Sequence, residues 1–258
     1  MCNFEVYKSK YDPKDYIFED RFLVADHVLP KEFNLLDKTP EATNQITSSC
    51  AAHAACACRS MLEGNKDLIL SKSFLYFQTR VLEKSTDRDC GVTIKNIMKS
   101  LRKWGVCEEK YMGNEEDFKQ VPSKDAFENA KKYKIKDYLR INSLYGIKNW
   151  LIGAKQPVLF GLQVTEDLKS DKVAQTGILP RPSKNPKIIS SHGAMIIGWK
   201  DSTPLEQFLS KFSRKYSSTG SLLIHNSWGS NWGIDGNFWM PYDIITQGLA
   251  FDFWIMEK

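Results

Sequence analysis

NQITSSCAAHAACACRSML, residues 44–62, predicts a buried helix with a cysteine in its first turn. Thr47, Ser48 and Ser49 are residue types that cap helix N-termini, because their hydroxyls accept from the first unpaired N–H groups. Alanine, methionine and leucine behind them are strong helix formers. Cys50 therefore sits where those N–H groups and the helix dipole favour an anion. The thiolate is the reactive form of cysteine. The alanines at 51, 52, 54, 55 and 57 leave room for close neighbours. The plain alternative is a buried helix carrying three small thiols, Cys50, Cys56 and Cys58, since free cysteine is among the most buried residue types.

Further along, the helical pattern continues. Residues 71–84 read as a second helix with Phe74, Leu75, Phe77, Val81 and Leu82 apolar. Asp89-Cys90-Gly91 is a break. Val92, Ile94, Ile97, Met98 and Leu101 then recur at helical spacing until Gly105. After about residue 120 the period changes. Residues 138–141, 156–164, 192–199, 221–226 and 236–240 read as strands, with a short helix at 144–154 and a polar excursion at 201–220. Residues 1–43 read as a mostly irregular arm, marked by Pro13 and Pro30. The expected class is α+β, with a helical half, an antiparallel β half and a cleft between them.

Bulk properties bound the function. The chain has 258 residues, 42% hydrophobic and 26% charged, with a formal net charge of +5. That suits one domain with ample core and argues against a dedicated nucleic-acid binder. The basic cluster Lys131, Lys132, Lys134, Lys136 and Arg140 reads as a solvated helix face. No signal peptide begins the sequence and no apolar run approaches the ~20 residues that span a bilayer. The six cysteines are therefore expected as thiols in a reducing, intracellular compartment. His27, His53, His192 and His225 show no metal-ligand spacing, and neither a metal nor a cofactor is expected.

A cysteine nucleophile needs a base to ionise it and a group to orient the base. His192 opens an apolar strand, and Asn226 follows another, inside Asn226-Ser227-Trp228-Gly229-Ser230-Asn231-Trp232-Gly233. Cysteine, histidine and asparagine in that order, with the Trp-Gly pairs, resemble the papain-like cysteine peptidases (peptidase family C1), in their divergent bacterial, archaeal and viral branch. Gln45 with Ser49-Cys50, Asp89-x-Gly91, Gln156-Pro157-Val158, His192 to Trp199 and Phe251-Asp252-Phe253-Trp254 also resemble that branch.

The resemblance implies a papain-like two-lobed fold. Residues 44–125 would form the helical lobe and residues 126–258 the β lobe of a single domain, preceded by the arm 1–43. It implies a cysteine endopeptidase working through a thioester acyl-enzyme. Cys50 would be the nucleophile, His192 its ion-pair partner and acid, and Asn226 the orienting residue. Gln45 would donate to the oxyanion. Gly91 would pair with the substrate backbone, Trp228 would cover the His192–Asn226 bond, and Gly161 and Ala194 would line the pocket for the second residue before the scissile bond. Substrates would be proteins or peptides, the chain a monomer, and residues 1–28 the candidate inhibitory segment.

Two other uses of the same residues are a catalytically silent peptide-binding scaffold and an acyl transferase or ligase. The five-step spacing from Gln45 to Cys50, one short of the family's usual six, favours the first. His53, one turn after Cys50, is a rival base, whereas His225 should face away from Asn226 by strand alternation.

Overall fold

The structure is a computed structural model that describes residues 6–22 and 28–258. Cys2 and His27 lie outside the described residues. The strands are β1 (Val6–Tyr7), β2 (Glu32–Asn34), β3 (Val92–Thr93), β4 (Asp137–Arg140), β5 (Val158–Thr165), β6 (Ile188–Asp201), β7 (Gly220–His225), β8 (Asn237–Pro241) and β9 (Ala250–Glu257). The α-helices are α1 (Phe18–Arg21), α2 (Cys50–Glu63), α3 (Lys72–Glu83), α4 (Ile94–Lys103), α5 (Lys124–Ala130), α6 (Leu144–Ala154), α7 (Asp171–Thr176), α8 (Pro204–Leu209) and α9 (Asp243–Thr246).

Seven strands form one antiparallel sheet in the order β4-β9-β5-β6-β7-β8, with β2 also paired to β6. The helices α2 to α5 come before the main strands. The two-part α+β plan expected from the change of period is therefore present. Among the described residues no helix is long and apolar enough to cross a membrane.

α2 is the central helix. Eleven of its fourteen residues are buried, so it has no solvent face, as a helix embedded in a core should. Its alanines let the sheet come close: a Cβ on Gly193 of β6 would stand 2.9 Å from the Cα of Ala51. Gly64, at φ 72°, ends the helix in the left-handed conformation that glycine adopts without strain. Ser49 is the N-cap residue, but its side chain makes no capping bond, contrary to the hydroxyl cap predicted from sequence.

Three other segments differ from expectation. Residues 32–34, at the end of the extended piece that begins at Leu29, are not merely extended but pair as β2, with Phe33 opposite Trp199. The polar excursion after β6 contains α8, started by a capping box between Thr203 and Glu206. The lysines at 131, 132, 134 and 136 lie on a 3-10 turn (Lys131–Tyr133) and its exit rather than along a helix.

Buried arginines tie the loops down. Arg59 donates to the carbonyls of Tyr133 and Lys134 and pairs with Glu63 at 2.5 Å. Arg80 donates to the carbonyls of Thr86, Arg88 and Phe118, which fastens the loop leading to Gly91. Buried cations persist when hydrogen-bonded and paired in this way. The thiols of Cys50, Cys56, Cys58, Cys90 and Cys107 are all free.

Candidate active site

The loop before α2 places Cys50 at the first helical position, with its side chain fully buried. Two long-range bonds set that loop. The backbone N–H of Ser48 donates to Asp89 Oδ1 at 2.9 Å, and Tyr76 donates its hydroxyl to the same oxygen at 2.7 Å. On the other flank Gln45 takes hold of β7's exit: its N–H donates to the Ser227 carbonyl at 2.9 Å, and its Oε1 accepts from the Ser227 hydroxyl at 2.6 Å. The Nε2 of Gln45 donates to the Thr47 carbonyl at 3.0 Å, closing the short loop on itself. An amide nitrogen has two protons, so one remains for another acceptor.

β6 brings His192 and Gly193 against the start of α2. The Gly193 N–H donates to Cys50 Sγ at 3.3 Å. Next to it, His192 Nε2 stands 2.7 Å from Asn226 Oδ1. That oxygen also accepts from the Ser227 N–H at 2.8 Å, so the atom facing the ring is an acceptor. Nε2 therefore carries the proton, and in the neutral ring Nδ1 keeps its lone pair. Nδ1 is buried and makes no hydrogen bond, which leaves it available as a base. The Trp228 ring lies over His192 at 4.8 Å between centroids, and Lys169 sets its ammonium 3.7 Å from the Trp228 ring.

Burial controls the charge state here. It pushes the Cys50 thiol up to about 11, against the N–H groups of Gly193 and Ala51, which favour the thiolate. It lowers His192 to about 3, against the Asn226 hydrogen bond, which favours the protonated ring. In the covered state the pair stands as neutral thiol and neutral imidazole.

Protonation then couples to folding. Below about pH 6.5 the unfolded chain takes up a proton on this imidazole that the folded chain refuses until about pH 3. Stability should fall as pH drops through that window, by up to about 4–5 kcal/mol at 1.36 kcal/mol per unit. His225, also lowered by burial, adds to the same trend. Urea unfolding at stepped pH is expected to show the loss, and His192→Gln should flatten it. An unchanged slope in that variant would assign the acid sensitivity elsewhere.

The remaining predicted residues are placed as follows. Gly91 is buried immediately before β3. Ala194 is buried in β6 opposite Phe160. Gly161 faces the Phe251 ring, which stands 2.3–2.8 Å from where a Cβ would be; the ring fills the space beside this glycine. His53 is engaged at both nitrogens, by Thr43 at 2.6 Å and by Glu115 at 2.6 Å, which removes the rival base. His225 turns away to Asn237 at 2.9 Å.

Sequence reasoning gave no site role to Gly193, Tyr76, Ser191 or Lys169. Ser191 meets the arm: Val6 N–H donates to its Oγ at 2.9 Å, and that hydroxyl donates to the Val6 carbonyl at 2.7 Å. β1 also pairs with β3 in parallel, Val6 opposite Val92. Val6 is 2% exposed, and its Cγ2 would stand 3.0 Å from a Cβ on Gly193. The arm thus bridges the helical side and the sheet beside Cys50. It is fastened beyond this point by Ser9 N–H to Asp252 Oδ2 at 2.5 Å, and by Lys95 to Asp12 at 2.9 Å and Asp15 at 2.6 Å.

Comparison with known proteins extends the picture. Residues 32–250 match the family described as papain family cysteine protease. An uncharacterized peptidase C1-like protein of Acanthamoeba polyphaga mimivirus is 29% identical, over 99% of this chain and 87% of that protein. Among solved structures, xylellain, a cysteine protease from Xylella fastidiosa, is similar over 100% of this chain and 96% of its own, with a TM-score of 0.81 and 25% identity. Digestive procathepsin L2 from Tenebrio molitor larval midgut shares the fold, with a TM-score of 0.71 and 16% identity over 100% of this chain and 78% of that one.

Proposed function

Because the chain belongs to the papain family of cysteine proteases, we propose that it hydrolyses peptide bonds with Cys50, His192 and Asn226 as its triad. The bond from His192 Nε2 to Asn226 Oδ1 supports this reading, since it leaves Nδ1 with its lone pair, and the residue next to His192, Gly193, donates its N–H to Cys50 Sγ. With substrate bound, Nδ1 takes the thiol proton and Sγ attacks the carbonyl carbon. The backbone N–H of Cys50 and the second Nε2 proton of Gln45 receive the oxyanion, a contribution typically worth about 10²–10³ in rate per donor. The imidazolium returns its proton to the leaving amine and a thioester remains. Water, deprotonated by Nδ1, then releases the acid and regenerates the thiol.

Gly91 pairs with the substrate backbone, and Ala194 and Gly161 line the pocket for the second residue before the scissile bond, with the Phe251 ring packed on Gly161. Trp228 shields the His192–Asn226 bond. Residues 1–28 of the arm act as the chain's own inhibitor, and the two hydrogen bonds between Val6 and Ser191 and the pairing of β1 with β3 support this. The same contacts imply that protein substrates enter only after the arm shifts. The free thiols fit a reducing compartment.

Intact-mass measurement after treatment with an epoxide that alkylates papain-like thiols tests the reading. One addition is expected on the wild-type chain, slow while the arm is seated, and none on Cys50→Ala. Addition that persists in the variant would place the reactive thiol elsewhere and sink the assignment.

A further inference from the structure

His53 lies on α2 one turn after Cys50 and is buried. Its ring spans two segments. On one side the Thr43 hydroxyl meets Nδ1 at 2.6 Å, and on the other Glu115 Oε1 stands 2.6 Å from Nε2. A carboxylate only accepts, so Nε2 keeps its proton, and in the neutral ring Nδ1 accepts from the Thr43 hydroxyl. Glu115 belongs to the loop after the 3-10 turn Glu109–Tyr111. Its neighbours Asn114, Glu116 and Asp117 face solvent, whereas its own side chain is drawn in to 12% exposure. Burial pushes its carboxyl up, but the His53 contact and the Ile46 N–H outweigh that and hold it below its ordinary value.

Thr43 and Ile46 flank Gln45. Gln45 is bonded to Ser227, and the Gly229 N–H donates to the Thr43 carbonyl at 3.0 Å, so this segment is fixed to the exit of β7. The chain Thr43–His53–Glu115 ties the same segment to the helix that carries Cys50. The two oxyanion donors ride on these different elements, the Cys50 N–H on α2 and Gln45 Nε2 on the segment. They act together only if both reach one oxygen, so the distance of the segment from α2 must be held. We propose that His53 and Glu115 are positioning residues that hold Gln45 in register with the Cys50 N–H, closing the pair of donors around the oxyanion. The inference rests on the peptidase reading above. It gives a reason for an imidazole and a carboxylate where an apolar pair would fill the same space with less desolvation.

The test uses the full chain and one neutral peptide substrate. Glu115→Ala and Thr43→Val are each expected to lower kcat about threefold to thirtyfold, part of the loss of a whole donor, with KM changed less than about twofold. Glu115→Gln, whose amide oxygen still accepts, should recover most of that loss. In the Gln45→Ala background the same substitutions should change kcat less than about twofold, because the donor they position is gone. Alkylation of Cys50 by iodoacetamide develops no oxyanion and should keep its wild-type rate. No loss of kcat, losses of equal size with and without Gln45, or alkylation slowed in parallel would overturn the proposal. If the wild-type chain cleaves nothing, amide hydrogen exchange decides. Faster exchange across residues 43–47 in Glu115→Ala, with α2 unchanged, upholds the brace while the peptidase reading fails. Unchanged exchange there, or faster exchange in α2 as well, overturns the brace.

Discussion

Val6→Asp is expected to raise the rate of Cys50 alkylation by iodoacetamide near pH 7 by about 10²-fold or more, and to release peptide cleavage. Val6 is 2% exposed against Gly193, and a carboxylate there costs several kcal/mol unless it returns to water. The arm is held at this end by two bonds to Ser191 and a two-residue ladder, each net worth about 1 kcal/mol. Displacing it is therefore the less costly response. Once water reaches the thiol, the burial that holds its pKa at about 11 weakens. A return to the ordinary thiol value of 9.0 alone multiplies the thiolate fraction about 10²-fold, and pairing with a protonated His192 adds to that. Lys95 and Arg140 fasten the arm farther along, so the global unfolding midpoint should change little. An alkylation rate equal to wild type would mean that Val6 does not gate the thiol.

The second large effect belongs to His192. In the Val6→Asp background, His192→Ala is expected to lower kcat/KM by about 10⁴-fold or more, because in the proposed mechanism one group both ionises the thiol and protonates the leaving amine. Asn226→Ala should cost less, about 10–10²-fold. Its oxygen fixes which ring nitrogen carries the proton, without itself taking part in the transfer. Steady-state rates on one neutral peptide would measure both. Retention of more than about a tenth of the activity in His192→Ala would point to another base. His53 is poorly suited to replace it, being held by Thr43 and Glu115.

Much of the fold was legible because its signals are local. The alanine helix from Cys50, the break at Asp89–Gly91 and the apolar strand after His192 each announce themselves within ten or fifteen residues. α8 was missed although Thr203-Pro204 with Glu206 is a local start signal; the polar composition of residues 201–220 masked it. The pairing of β2 was not legible for another reason: a short extended piece becomes a strand only because β6 stands beside it. The hydroxyl cap expected for α2 failed because Ser49 is buried with its side chain unbonded, its place set by the packing of the Cys50 loop.

The site divides along the same line. Which residues could carry cysteine chemistry was determined by the sequence, since side-chain type limits which atoms can attack, accept or donate. The order of Cys50, His192 and Asn226 also lies in the sequence. Tertiary structure alone decided which nitrogen of His192 is bonded and which keeps its lone pair, because that depends on an oxygen 34 positions away. It alone decided that the covered thiol is neutral, because burial is a property of everything packed around it. It brought Val6 across to Ser191, 185 positions along the chain, and set Lys169 on Trp228. Contacts between distant segments leave no periodicity in either segment. They exist only once the core has chosen which surfaces lie within a few ångströms of one another.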